Sequence, residues 1–125
     1  MSHDNDAIIT AFVKEYDAPA PDATRLASYL TEDAVYHNIP MAPITGRDKI
    51  AAALGGMASQ FTSCGWEVKH QVASGDVVMN ERIDRFTIGG KEVEIPVMGT
   101  FVLRDGKIAE WRDYFDLAMW QKQLA

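Results

Sequence analysis

Between residues 4 and 16, apolar side chains recur at steps of three and four: Ile8, Ile9, Phe12, Val13 and Tyr16. This spacing predicts a helix with one apolar face, capped by Asp4 or Asn5. After the loop APAP, Asp22 is placed to cap a short second helix that runs through Leu26, Tyr29 and Leu30. The stretch AVYHNIP at 34–40 is dense in β-branched and aromatic residues and stops at Pro40, so it reads as a strand followed by a proline-containing loop. GRDKIAAALGGMASQF then opens a third helix. From Gly65 the period falls to two, predicting strands over 66–73, 77–87, 92–103 and 108–116, with turns at SGD, GG and RDG. The expected class is α+β: three N-terminal helices cover one face of a strongly curved, mixed or antiparallel sheet and enclose a pocket against it.

Strand side chains alternate, so residues two apart share a face with Cα atoms roughly 6.5 to 7 Å apart. Val78, Asn80, Arg82, Asp84 and Phe86 therefore point one way, and Val77, Met79, Glu81, Ile83 and Arg85 the other. Trp111, Asp113 and Phe115 share a face of the last strand, and Tyr36 and Asn38 share one on the first. A carboxylate between two large aromatics is expected to be enclosed, and burial there is costly unless the charge is paired. Arg82 is the natural partner because its planar fork can serve two carboxylates. Asp84, Arg82 and Asp113 would then form a carboxylate–guanidinium–carboxylate triad. By spacing alone, an ion-pair network on a solvated sheet face is the commoner reading of an Arg-x-Asp strand.

Composition narrows the classes. The 125 residues are 47% hydrophobic and 24% charged, without repeats or low-complexity runs, as expected of one domain over 1–125. A formal charge of -6 with scattered lysines argues against nucleic acid as a partner. No apolar run approaches the ~20 residues of a membrane span, and the acidic start MSHDNDAIITAF is unlike a secretory leader, so no membrane partner is expected and the default address is the cytoplasm. Cys64 is the lone cysteine and has no base near it in sequence, which marks it as an ordinary thiol. His3, His37 and His70 lack ligand spacing, and GGMASQ lacks the phosphate-loop pattern, so neither metal nor other cofactor is expected.

YHNIPMAPITGRDKI, ERID and GKIAEWRDYFD, in order over residues 34–118, resemble the limonene-1,2-epoxide hydrolase family, within the wider group of nuclear-transport-factor-like and polyketide-cyclase-like cone-shaped domains. The resemblance implies cofactor-independent hydrolysis of a small lipophilic epoxide, cyclic ones foremost, to a vicinal diol. It implies Asp113 as general base, Tyr36 and Asn38 as holders of the attacking water, Asp84 as general acid, and Arg82 as the bridge. Trp111 would line the site, with Met41, Ile44, Met57, Val97, Met98, Phe115, Leu117 and Trp120 as the expected apolar wall. A homodimer through the open sheet face is also implied. Two alternatives stand beside it: an isomerase or cyclase on the same fold, against which an arginine beside the acid counts, and a non-catalytic ligand-binding dimeric module.

Overall fold

In the computed structural model, which describes residues 4–17 and 21–125, the chain runs through ten elements. These are α1 (Asn5–Lys14), α2 (Ala23–Ala27), β1 (Leu30–Asn38), β2 (Ile44–Thr45), α3 (Arg47–Ala58), β3 (Phe61–Ser74), β4 (Val77–Ile88), β5 (Lys91–Arg104), β6 (Lys107–Tyr114) and α4 (Leu117–Leu124). Asp4 caps α1 by accepting from the Ala7 amide, and Asp22 caps α2 by accepting from Thr24 and Arg25. Both satisfy amides that a first helical turn leaves without partners. The APAP loop falls partly outside the described residues.

Three local expectations are corrected. The second helix ends at Ala27 because Leu30 is already a strand residue, paired with Ile108 of β6. The third helix ends at Ala58, and Phe61 opens β3. The last strand ends at Tyr114; Asp116 then accepts from the Met119 amide and caps a fourth helix. The two-residue β2, paired with Val35 and Tyr36, adds a short edge to the sheet.

The strand order is β2-β1-β6-β5-β4-β3. β1 runs parallel to β6, while the other pairs are antiparallel, so the sheet is mixed. β4 and β5 turn over Gly89 and Gly90, whose φ angles of 56° and 78° suit a tight hairpin. Two core clusters form against the helices. One joins Ile9 and Phe12 of α1 to Phe101, Ile108 and Trp111; the other gathers Phe61, Phe86, Val93, Ile95 and Val97. A cavity opens between them, bounded by residues of both.

Candidate active site

On β4 the predicted alternation holds: Val78, Asn80, Arg82, Asp84 and Phe86 are all buried, and Met79, Glu81 and Arg85 are exposed. The triad spans three strands. Arg82 Nε and Nη2 donate to Asp84 Oδ1 and Oδ2, both at 2.9 Å. Its Nη1 and Nη2 donate to Asp113 Oδ1 and Oδ2 at 3.2 and 3.0 Å. Nη1 also donates to Asn80 Oδ1 at 3.0 Å, so every guanidinium hydrogen has an acceptor. With Arg82 0% exposed and each carboxylate almost as enclosed, the pair-on-a-wet-face reading is excluded.

The span needs an absence of side chain on the strand between. Gly99 of β5 lies in register with Asn80 on one side and Asp113 on the other. A Cβ there would collide with Arg82 Nη1 and stand 2.9 Å from Asp113 Oδ1. Glycine in a strand interior marks such close approaches. The arginine crosses β5 over Gly99 and meets its second carboxylate on β6. Trp66 closes the other side, with the Arg82 Cζ atom 4.1 Å from its ring centre.

β1 brings the remaining polar groups. Its parallel register sets Asn38 opposite Asp113 and Tyr36 opposite Trp111. The Tyr36 hydroxyl donates to Asn38 Oδ1 at 3.1 Å, and its ring stacks on Trp111 with centroids 4.0 Å apart. Trp111 Nε1 donates to Asp113 Oδ1 at 3.0 Å. Asp113 thus accepts from two directions and is fixed in orientation.

Burial raises the Asp84 carboxyl to about 6, against the pull of Arg82 and with a further push from Asp113. Burial also opposes the Arg82 charge, but Asp113 and Asp84 outweigh it and hold the guanidinium above its ordinary value. Burial likewise keeps Tyr36 a neutral phenol. Cys64 is pushed up to about 12, chiefly by burial, so it is a thiol and not a thiolate. His37 lies outside the site, with its Nε2 2.9 Å from the Met41 carbonyl.

The cavity holds about 130 Å³. Tyr36, Asn38, Asp84 and Asp113 supply polar groups to its lining, Tyr16 and Trp66 bring a phenol and an indole whose polar atoms are buried, and most of the remaining wall is apolar. Of the expected wall, Met41, Met57, Val97, Phe115, Leu117 and Trp120 line it. Three expected residues do not. Met98 is 50% exposed on the far face of β5, as its odd register with Val97 requires. Ile44 packs against the first core cluster from β2. Trp111, 1% exposed, stands behind the wall and acts on it through Asp113 and Tyr36. Tyr16, Leu26, Leu54, Phe61, Trp66, Phe86 and Ile95 also line the cavity and escaped the sequence reading. Phe86 and Ile95 were findable, since they continue the alternation through Asp84 and Val97; the helix-borne residues depend on how each helix rolls onto the sheet. Among the described residues, no group of His, Cys, Asp and Glu is placed to hold a metal ion, and no helix is long and apolar enough to cross a membrane.

Known proteins resemble this chain in sequence and in fold. The profile of the limonene-1,2-epoxide hydrolase catalytic domain matches residues 4–125. Epoxide hydrolase EphG of Mycobacterium tuberculosis is 40% identical over 90 residues, covering 70% of this chain and 58% of that protein. A solved M. tuberculosis LEH-like epoxide hydrolase superposes with a TM-score of 0.83 at 30% identity, over 96% of this chain and 88% of the other. A protein of ketosteroid isomerase-like fold from Catenulispora acidiphila (TM-score 0.82, 19% identity, 98% and 93% covered) shares the fold alone.

Proposed function

Because the chain belongs to the limonene-1,2-epoxide hydrolase family, we propose that it converts a small lipophilic epoxide, cyclic ones foremost, to a vicinal diol by one-step attack of water without a cofactor. The observation that carries this reading is a pair of aspartates, bridged behind the wall by one buried guanidinium, that face a largely apolar cavity beside Tyr36 and Asn38. Ring opening by water needs an acid at the epoxide oxygen and a base at the water, and two carboxyls fill both roles only where their affinities for protons differ. Asp84, raised toward neutrality, is the acid. Asp113 is the base, and Tyr36 and Asn38 beside it hold the water.

In the forward step the water oxygen forms a bond to one ring carbon as the carbon–oxygen bond breaks. One water proton passes to Asp113, and the Asp84 proton passes to the departing oxygen. A proton must then return from Asp113 to Asp84 before the next turnover. Apolar walls keep bulk water from the opening ring and give a lipophilic ring its surface. One such domain suffices, in the cytoplasm, and Met98 with Tyr114, paired across β5 and β6 on the exposed face, supports a homodimer through that face.

The decisive experiment is a single turnover in oxygen-18 water, with enzyme in excess over a cyclic epoxide. Direct attack puts the label in the first diol, whereas a carboxylate nucleophile would hand over its own unlabelled oxygen. Labelled diol is the expected result. Asp113→Asn, nearly isosteric, should keep the fold and lose about 10² to 10⁴-fold in turnover. Retention of more than roughly a tenth of the rate would favour the binding module instead.

A further inference from the structure

Four of the five hydrogens on the Arg82 guanidinium go to Asp84 and Asp113. The fifth goes to Asn80, which is 1% exposed and does not line the cavity. We infer that Asn80 is a positioning residue for this site: it fills the last donor of Arg82 with an uncharged oxygen and is held there from its other side by Gln71, which is itself anchored on helix α1.

The orientation follows from which groups can only accept and which can only donate. The Asp6 carbonyl and carboxylate both face Gln71, which meets them with Nε2 at 3.1 and 2.8 Å; Thr10 Oγ1 lies 3.1 Å from the same nitrogen. Neither Asp6 oxygen can donate, so the Gln71 amide must turn its nitrogen toward α1 and its oxygen inward. Gln71 Oε1 then accepts from Asn80 Nδ2 at 3.1 Å. That leaves Asn80 Oδ1, and only Oδ1, to face Arg82. Arg82, which can only donate, asks for the same orientation, so the three successive contacts between α1 and the guanidinium agree in direction from both ends. Asn80 sits across from Gly99, so its oxygen shares the space left by the missing Cβ.

The uncharged oxygen also fixes the charge count. Arg82 faces two carboxylates and no third. An aspartate at position 80 would be almost the same size, but it would bring a third negative group to one guanidinium and turn an acceptor toward Gln71 Oε1. The titratable groups around Asp84 are Arg82 on its own strand, Asp113 from β6, Tyr36 from β1, Cys64 from β3 and Tyr16 beyond α1. Burial holds the phenols and the thiol neutral, which leaves Arg82 and Asp113 as the charges that Asp84 senses. With that count, one proton shared between two carboxylates suffices to separate acid from base.

The inference rests on the hydrolase reading for its catalytic meaning, but its test does not depend on turnover. In Asn80→Asp, the carboxyl carbon of Asp84, followed by carbon NMR, should titrate about one unit higher than in the parent protein. The alkaline limb of kcat/KM should move by the same amount. Gln71 is only half-buried, so Gln71→Leu is expected to fold; it leaves the buried Asn80 Nδ2 without its acceptor, loosens the hold on Oδ1 beside Arg82 and should lower kcat roughly 3- to 10-fold with KM unchanged. An Asp84 titration that stays in place in Asn80→Asp, or an unaltered kcat in Gln71→Leu, overturns the assignment. Failure of the parent protein to open any epoxide would sink the hydrolase reading while leaving the Asp84 titration to decide this one.

Discussion

Gly99 does for the site what no side chain could. Its register with Asn80 and Asp113 lets an arginine on β4 reach past β5 to a carboxylate on β6. Gly99→Ala puts a methyl group into the guanidinium, and the surroundings are already full. The expected result is a destabilisation of about 1 to 3 kcal/mol, typical of overpacking, read as a lower urea midpoint. Turnover should fall by at least ~10²-fold, because the bridge cannot form around the methyl group. Asp84 leads to a second expectation. Its folded-state value of about 6 lies above its ordinary 3.8, so the folded protein binds this proton more tightly than the unfolded chain does. The stability it contributes, up to ~3 kcal/mol, is complete below about pH 4 and is lost as pH rises through about 6. Urea midpoints measured across this window should fall with pH in the parent and flatten in Asp84→Asn. The alkaline limb of activity, set by the coupled pair, should lie in the same range. Arg82, Asp84 and Asp113 were legible in the sequence because a strand's period of two forces them onto single faces. Gly99 was not, since nothing local to a glycine announces which side chain passes above it.

At the scale of elements, the long strands were legible to within two residues where glycine turns bracketed a clean alternation, as in β4 and β5. β3 was foreshortened at both ends, because Phe61 reads naturally as a helix tail until its pairing with Ile88 is seen. α4 was hidden for a related reason: alternation carries on through Phe115, so the capping role of Asp116 shows only when the strand is known to end at Tyr114. This helix brings Leu117 and Trp120 to the cavity. Gln123 anchors it by imitating a strand: its Oε1 accepts from the Glu94 amide at 2.8 Å and its Nε2 donates to the Glu94 carbonyl at 2.9 Å. Lys91 adds bonds to the Leu124 and Ala125 carbonyls. Gln123→Leu should therefore loosen the wall without touching the reacting groups. Two hydrogen bonds at about 1 kcal/mol each set a ceiling of about 30-fold, of which only part reaches the cavity, so KM is expected to rise about 5- to 10-fold with kcat within ~2-fold. Steady-state kinetics on one cyclic epoxide checks this, and a fall confined to kcat would contradict it.

Over the whole molecule, one face of the sheet carries the cavity and the other carries Met79, Met98 and Tyr114, each more than two-fifths exposed. A face of that kind suits a second copy of itself, so Met98→Glu should shift the protein toward monomer by light scattering at micromolar concentration, and a parent protein already monomeric there would remove the dimer from the reading. The pairing of Asn38 with Asp113, and of Tyr36 with Trp111, carries a consequence of a different kind. Backbone register between two strands far apart in the chain holds Tyr36 and Asn38 beside Asp113. The pocket's outer wall comes from elsewhere: Met41 from a loop, Leu54 and Met57 from α3, Leu117 and Trp120 from α4. The buried polar groups sit on strands, whereas the wall is shared: Phe86, Ile95 and Val97 line it from β4 and β5, and the helices and loop complete it. A lineage, or a protein engineer, can alter much of what this cavity admits by rewriting helices and a loop, while the strands hand down the same buried polar set.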